Sequence, residues 1–174
     1  MIDNKKISVL LVDDHEVVRA GFKILLSSQA FIGRIADIDR GELVAQEYER
    51  LKPDVVVMDL SSLRKFEILG PDAEELMNTA LTRNVKKLAL GQVVYSALCY
   101  ENGTMIDDGT LYKLGDNNFR WICGNDYSGE WLRKLGQKLN LKVWIKTLTD
   151  QLHNLSVQGP NSRKLLSKII WTPP

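Results

Sequence analysis

Neither sign of charge prevails in this sequence, and histidine, cysteine and proline are scarce: two, two and five residues in 174. The 23 basic and 22 acidic side chains leave a net charge of +1. Without the basic excess that marks nucleic-acid proteins, no nucleic-acid partner is expected. No run of about 18 apolar residues occurs. Met1-Ile-Asp-Asn-Lys-Lys6 carries no cleavable apolar segment, so no membrane partner is expected and the location reads as cytoplasmic. Cys99 and Cys123 form no Cys-x-x-Cys pair and meet no clustered histidines, which argues against zinc; both read as small buried strand residues. Prolines and glycines gather into no spacer, so no flexible linker is expected. What is present is 44% hydrophobic, enough to bury one large or two small domains.

Ile7-Ser-Val-Leu-Leu-Val12 is a continuous apolar run that suits a strand covered on both faces, and it stops at Asp13-Asp14. Val18, Phe22 and Leu25 fall at helical spacing, residues 34–39 read as a weaker strand, and residues 42–51 as a helix with Val44, Tyr48 and Leu51 inward. Lys52-Pro53-Asp54 stops that helix, and residues 54–59 form the third strand. Such βαβαβ alternation implies a parallel sheet with right-handed crossovers. The carboxyl ends of neighbouring strands in that sheet open onto one crevice. Asp13, Asp14 and Asp59 would converge there, where three carboxylates repel unless a hard cation such as Mg²⁺ lies among them. The plainer alternative has Asp13-Asp14 capping a helix and Asp59 ending a strand.

Val9-Leu-Leu-Val-Asp-Asp-His-Glu-Val-Val-Arg-Ala-Gly-Phe22 and Leu51-Lys-Pro-Asp-Val-Val-Val-Met-Asp-Leu-Ser61 resemble the first half of a bacterial response-regulator receiver domain, over residues 5–61. The resemblance implies a flavodoxin-like half, with Asp59 as the phosphoacceptor and Asp13, Asp14 and Asp59 as the Mg²⁺ site. It also implies a sensor kinase or small phosphodonor as partner. The pattern departs after Ser61: the later strands that would carry a switch Ser/Thr and a lysine are missing.

Past that point the texture changes to hairpins. Gly70-Pro71 opens a helix with Ala73, Leu76, Met77, Ala80 and Leu81 buried. Residues 93–100 and 104–114 read as strands about an Asn102-Gly103 turn, and residues 119–123 complete a meander. A helix follows from Ser128 with Trp131, Leu132, Leu135 and Leu139 inward, then strands at 141–148 and 152–158 and a last helix at 160–170. Phe66-Glu-Ile-Leu-Gly-Pro-Asp-Ala-Glu-Glu-Leu-Met77 and Leu155-Ser-Val-Gln-Gly-Pro-Asn-Ser-Arg-Lys-Leu-Leu166 form a weak repeat flanking the meander, which suggests a ferredoxin-like antiparallel layer with helices on one face. Asp107-Asp108-Gly109 interrupts a long strand, either as a solvated bulge or as a site where a ligand nears the backbone. Tyr95 lies across the hairpin from this pair. Trp121, Trp131, Trp144 and Trp171 read as core or edge packing, and His153 has no nearby nucleophile.

Residues 59–73, residues 91–108 and Val157-Gln-Gly-Pro160 together resemble the glycine-cleavage T-protein, or aminomethyltransferase, family, which includes folate-dependent demethylases. The resemblance covers residues 58–174. It implies that Asp108, with Asp107, is the catalytic acid at the N5/N10 region of tetrahydrofolate, and that Tyr95 lines the folate pocket. It ends at Trp171-Thr-Pro-Pro174, before the segments that grip folate in that family.

The expected fold is thus α/β plus α+β: a flavodoxin-like βαβαβ fragment (residues 1–61) joined to a ferredoxin-like antiparallel segment (residues 58–174). Residues 54–61 would serve both halves as one continuous strand. The expected function is that of a chimaera without the full activity of either parent, hence not an enzyme as it stands. A Mg²⁺-dependent aspartyl-phosphate module and a folate-binding one-carbon transferase fragment are the alternatives. A natural fusion and an engineered hybrid would read alike.

Overall fold

The first apolar run forms β1 (Ile7–Val12), and the computed structural model, which describes residues 6–170, builds a four-stranded sheet around it. Helix α1 (Glu16–Ser27) leads to β2 (Ile32–Ile38), and α2 (Val44–Leu51) leads to β3 (Val55–Asp59). Both β2 and β3 pair with β1 in parallel, giving the order β2-β1-β3. The chain steps to one side of β1 and then back across it, so right-handed crossovers require α1 and α2 on opposite faces. Phe22 and Leu26 of α1 pack on the Val9, Leu11, Val55 and Val57 face, whereas Val44, Tyr48 and Leu51 of α2 pack on the Leu10, Val12 and Val56 face. Burial on both faces explains why these strands are apolar without alternation.

The strand does not continue through Ser61. Strand β3 ends at Asp59, residues 61–62 turn, and β4 (Arg64–Leu69) starts a second sheet. The strand expected over residues 54–61 therefore stops at Asp59 and serves one sheet alone, and the other sheet begins with a separate strand after residues 60–63. The chain divides at the same point: residues 61–153 form one compact unit, and residues 6–60 with 154–170 form another.

In the 61–153 unit, β4 is followed by α3 (Ala73–Ala80), the meander β5 (Val93–Cys99), β6 (Met105–Gly115) and β7 (Asn118–Cys123), then α4 (Tyr127–Lys138) and β8 (Trp144–Thr147). The sheet order is β5-β6-β7-β4-β8 and every pairing is antiparallel. Leu76, Met77 and Ala80 of α3 and Leu132 and Leu135 of α4 share one core with Phe66, Ile68, Leu98, Leu111, Phe119 and Trp121, so both helices cover the same face. This is the expected antiparallel layer with one more strand than a ferredoxin-like βαββαβ plan. Leu139, expected inward, is exposed because α4 ends at Lys138. Trp121 is core, Trp144 lies on the edge strand, and Trp171 falls outside the described residues. The Asn102-Gly103 hairpin forms, with a loop longer than two residues: Gly103, at φ +84°, closes onto Tyr100 C=O. No helix among the described residues is long and apolar enough to cross a membrane.

The second copy of the weak repeat goes elsewhere. Strand β9 (Leu155–Gln158), expected in the antiparallel layer, pairs antiparallel with β3, and α5 (Ser162–Ile169) places Leu165 in the α1-side core. The local geometry of the two copies is nonetheless the same. Gly70 and Gly159 stand at φ +122° and +127°, where L side chains are strained. Ala73 N–H returns to Gly70 C=O and Ser162 N–H to Gly159 C=O, at 2.9 and 3.1 Å. Leu76 and Leu165 are the buried residues one turn in. Strand β9 covers the edge that β3 would otherwise leave open.

Candidate functional site

Side chains alternate along a strand, and that period divides Asp107 from Asp108. Asp107 shares the parity of Leu111 and so faces the helices, while Asp108 shares the opposite face with Tyr95. On β5 and β6 Tyr95 stands opposite Thr110 and Ala97 opposite Asp108, a diagonal pair. The Tyr95 hydroxyl donates to an Asp108 carboxylate oxygen. Both residues are exposed, Tyr95 by 59%. They form an open wall rather than an enclosed pocket.

Asp107 is committed to structure. Its carboxylate accepts from Asn125 N–H at 2.9 Å, from the buried Ser128 hydroxyl at 2.7 Å and from Asp108 N–H at 2.9 Å. These bonds hold the turn that enters α4. The pair expected to act together is therefore split, one acid in the fold and one on the surface. The register shifts between Leu98 and Cys99, leaving Ile106 as the extra residue of a bulge next to Asp107, and a Cβ on Gly109 would collide with Ile122 C=O. The irregularity expected at Asp107-Asp108-Gly109 thus falls one residue before it, and the backbone that closely approaches Gly109 is that of β7. Cys123 lies beside Asp107, and burial pushes its thiol up to about 11.

At the carboxyl ends of the parallel strands, Asp13 and Asp59 line a small crevice with Arg19. Together with Asp14, Asp39 and Glu42 they also line a wider one of about 420 Å³. The compact group of three possible ligands among the described residues is Asp13, Asp14 and His15, not Asp13, Asp14 and Asp59. His15 Nδ1 lies 2.8 Å from Asp14 Oδ1 and 3.4 Å from Asp13 Oδ1, and Asp13 also accepts His15 N–H at 2.7 Å. Asp13 thus has a local partner in the turn ahead of α1, but the residue at the N-cap is His15 and no side chain caps the helix, so the capping alternative does not hold. The set still offers the carboxylate oxygens a hard divalent ion takes. Nearby, hydrogen bonds from Lys23 and Arg19 hold the Asp37 carboxyl below its ordinary range.

Three residues with organising roles gave little sign in the sequence. Asp54 accepts from Ser8 N–H and hydroxyl at 2.9 and 2.8 Å and from Asn161 Nδ2 at 2.8 Å, tying β1, β3 and the entry to α5 together. Asn125 and Ser128 answer Asp107 across the sheet end. The one hint was position, Asp54 at the start of the third strand and Ser128 at the start of a helix.

A family model described as GCVT N-terminal domain matches residues 28–172. The match begins thirty residues before the junction expected at residue 58, so it reaches into the segment read as receiver-like. Trimethylamine-oxide aldolase of Ruegeria pomeroyi is 56% identical over 129 residues, 74% of this chain and 16% of that protein. The heme-dependent oxidative N-demethylase gamma subunit of Ectopseudomonas mendocina is 35% identical over 125 residues, 72% of this chain and 32% of that protein. An aminomethyltransferase of Natranaerobius thermophilus is 29% identical over 133 residues, 75% and 36% respectively. The chain thus spans about a sixth to a third of the length of these relatives. The crystal structure of glycine cleavage system aminomethyltransferase T from Bartonella henselae superposes with a TM-score of 0.64 at 23% identity, over 72% of this chain and 34% of that one. At that identity the likeness is one of fold.

Proposed function

The chain belongs to the GCVT N-terminal domain family, and on that premise we propose that its 61–153 unit presents one wall of a tetrahydrofolate site used in one-carbon transfer or demethylation. The observation carrying this reading is the Tyr95–Asp108 pair, a phenol bonded to a carboxylate on the helix-free face of the sheet. Two of the relatives are named for moving or removing a carbon unit at nitrogen, as aminomethyltransferase and N-demethylase subunit.

The residues fit a folate on one side only. A carboxylate accepts from ring N–H groups, and an exposed aromatic ring offers a face for packing. Tetrahydrofolate, when bound, supplies the nitrogens that carry the one-carbon unit. Asp108 then holds a proton-bearing nitrogen and balances positive charge near it, while the Tyr95 hydroxyl fixes the carboxylate's orientation. Asp107 acts beneath, through the Asp108 N–H and the α4 turn. An open wall does not hold reacting atoms to the tolerance catalysis needs, so this chain by itself is proposed to bind rather than turn over.

Titration with tetrahydrofolate, followed by intrinsic tryptophan fluorescence, tests the reading. Saturable quenching is expected, with affinity about tenfold weaker in Asp108→Asn, equivalent to about 1.4 kcal/mol, and a smaller loss in Tyr95→Phe. Equal quenching by wild type and Asp108→Asn would reject it.

A second reading concerns the parallel strands. That Asp13 and Asp59 line the same two crevices favours Asp59 as a phosphoacceptor, with Asp13 and Asp14 holding Mg²⁺ and a kinase or small phosphodonor as partner. Labelling by acetyl phosphate should then require Mg²⁺ and vanish in Asp59→Ala. Metal-independent labelling, or none, disposes of it.

A further inference from the structure

Strand β8 ends the five-stranded sheet, and its outer edge, unpaired among the described residues, faces a groove of about 370 Å³ walled by Arg133, Gly136 and Gln137 of α4. The direction of the edge groups follows from register. Leu148 N–H donates to Lys65 C=O at 2.8 Å, so that opposed pair is hydrogen-bonded, and such pairs alternate with open ones along an antiparallel ladder. Lys146 opposite Glu67 and Trp144 opposite Leu69 then bond within the sheet, whereas Ile145 and Thr147 turn their N–H and C=O groups outward. An independent contact agrees: Arg133 Nη2 donates to Ile145 C=O at 3.2 Å from outside the sheet.

The groove floor is apolar, from Leu141, Val143 and Ile145, and Trp144 beside it is 62% exposed. The rim is cationic. Arg133 and Lys146 line the groove, and neither forms an ion pair among the described residues. A free edge beside a helix, with an apolar floor and a rim where Arg133 has no acidic partner among the described residues and Lys146 faces Glu67 across the ladder without an ion pair, matches what an added strand requires: main-chain groups for affinity, alternate side-chain pockets and a charge for specificity. Arg133 already occupies the carbonyl that an incoming N–H would take.

We propose that this groove docks an extended acidic peptide segment of a partner protein. The segment adds to β8 as a sixth strand, sets apolar side chains on the Val143–Ile145 floor, and pairs its carboxylates with Arg133 and Lys146. A second copy of this chain is the poorer occupant, because edge-to-edge pairing would bring like charges together.

The probe is the acetylated, fluorescein-labelled peptide Glu-Val-Glu-Leu-Glu-Val amide, titrated with the full chain at low ionic strength and read by fluorescence anisotropy. Saturable binding is expected, weakened about tenfold or more in Arg133→Glu and in Thr147→Pro, since each removes about one well-made interaction. Thr147→Pro deletes an outward N–H and no ladder bond, a substitution edge strands accept. The same peptide with lysine at each glutamate should not bind. The proposal is overturned if the acidic peptide fails to saturate, if both peptides bind equally, or if Thr147→Pro binds like wild type. Sedimentation equilibrium supplies a separate arm. A monomer agrees with the proposal, and a dimer abolished by Thr147→Pro would give the edge to a second copy.

Discussion

Gly109→Ala is expected to destabilise the 61–153 unit by about 3 kcal/mol or more, at the upper end of single substitutions. A Cβ there meets the Ile122 carbonyl well inside van der Waals contact, with Ile122 carbonyl carbon at 3.0 Å and Cys123 Cβ at 3.1 Å behind it. The obstacle is backbone, not the tip of a flexible side chain, so relief requires β6 and β7 to part where Gly109 opposes Cys123. Parting them disturbs Trp121, one of the largest fully buried side chains of that core. Urea unfolding followed by tryptophan emission checks this, with Gly115→Ala as control, because its Cβ would find only Asn118 Cβ at an ordinary 3.5 Å. Equal midpoints for the two variants would show that the strands yield at no cost.

Asp107→Ala and Asp108→Ala should part ways, although the residues are neighbours and carry the same charge. Removing the Asp107 carboxylate strips partners from Asn125 N–H, Asp108 N–H and the hydroxyl of fully buried Ser128. An unpaired buried donor costs about 1–3 kcal/mol, so a loss of about 2–4 kcal/mol is expected, with the turn into α4 loosened. Asp108→Ala gives up one exposed bond to Tyr95 and should stay within about 0.5 kcal/mol of wild type. Tetrahydrofolate quenching should show the reverse order wherever the Asp107 variant remains folded. If Asp108→Ala proves the more destabilising, the division of labour between the two acids is wrong.

Much of this was legible because local pattern and tertiary outcome coincide. Ile7–Val12 and Val55–Asp59 are apolar without alternation because both faces are covered, and the α3 stripe of Ala73, Leu76, Met77 and Ala80 is buried as its spacing required. The T-protein resemblance, drawn from ordered motifs, points to the family that residues 28–172 match. The continuity expected through Ser61 fails where the pattern itself breaks, because Ser61-Ser62 puts Leu60 and Leu63 three residues apart and out of step with a period of two. That break coincides with the turn at residues 61–62. Leu155–Gln158 was assigned to the wrong sheet for another reason: a four-residue alternating strand suits any open edge.

The order of amino acids by itself determined which segments are helical and which extended, which faces are apolar, and that Gly70 and Gly159 each start the same turn, since these follow from periodicity and from the backbone freedom of single residues. Only the folded chain decided that β9 closes the edge of β3, that Asp107 belongs to the entry of α4 while Asp108 meets Tyr95, and that Asp54 joins three segments. Those outcomes depend on which distant backbone groups lie opposite one another, and a partner 46 or 107 residues away leaves no periodic trace in the segment that receives it.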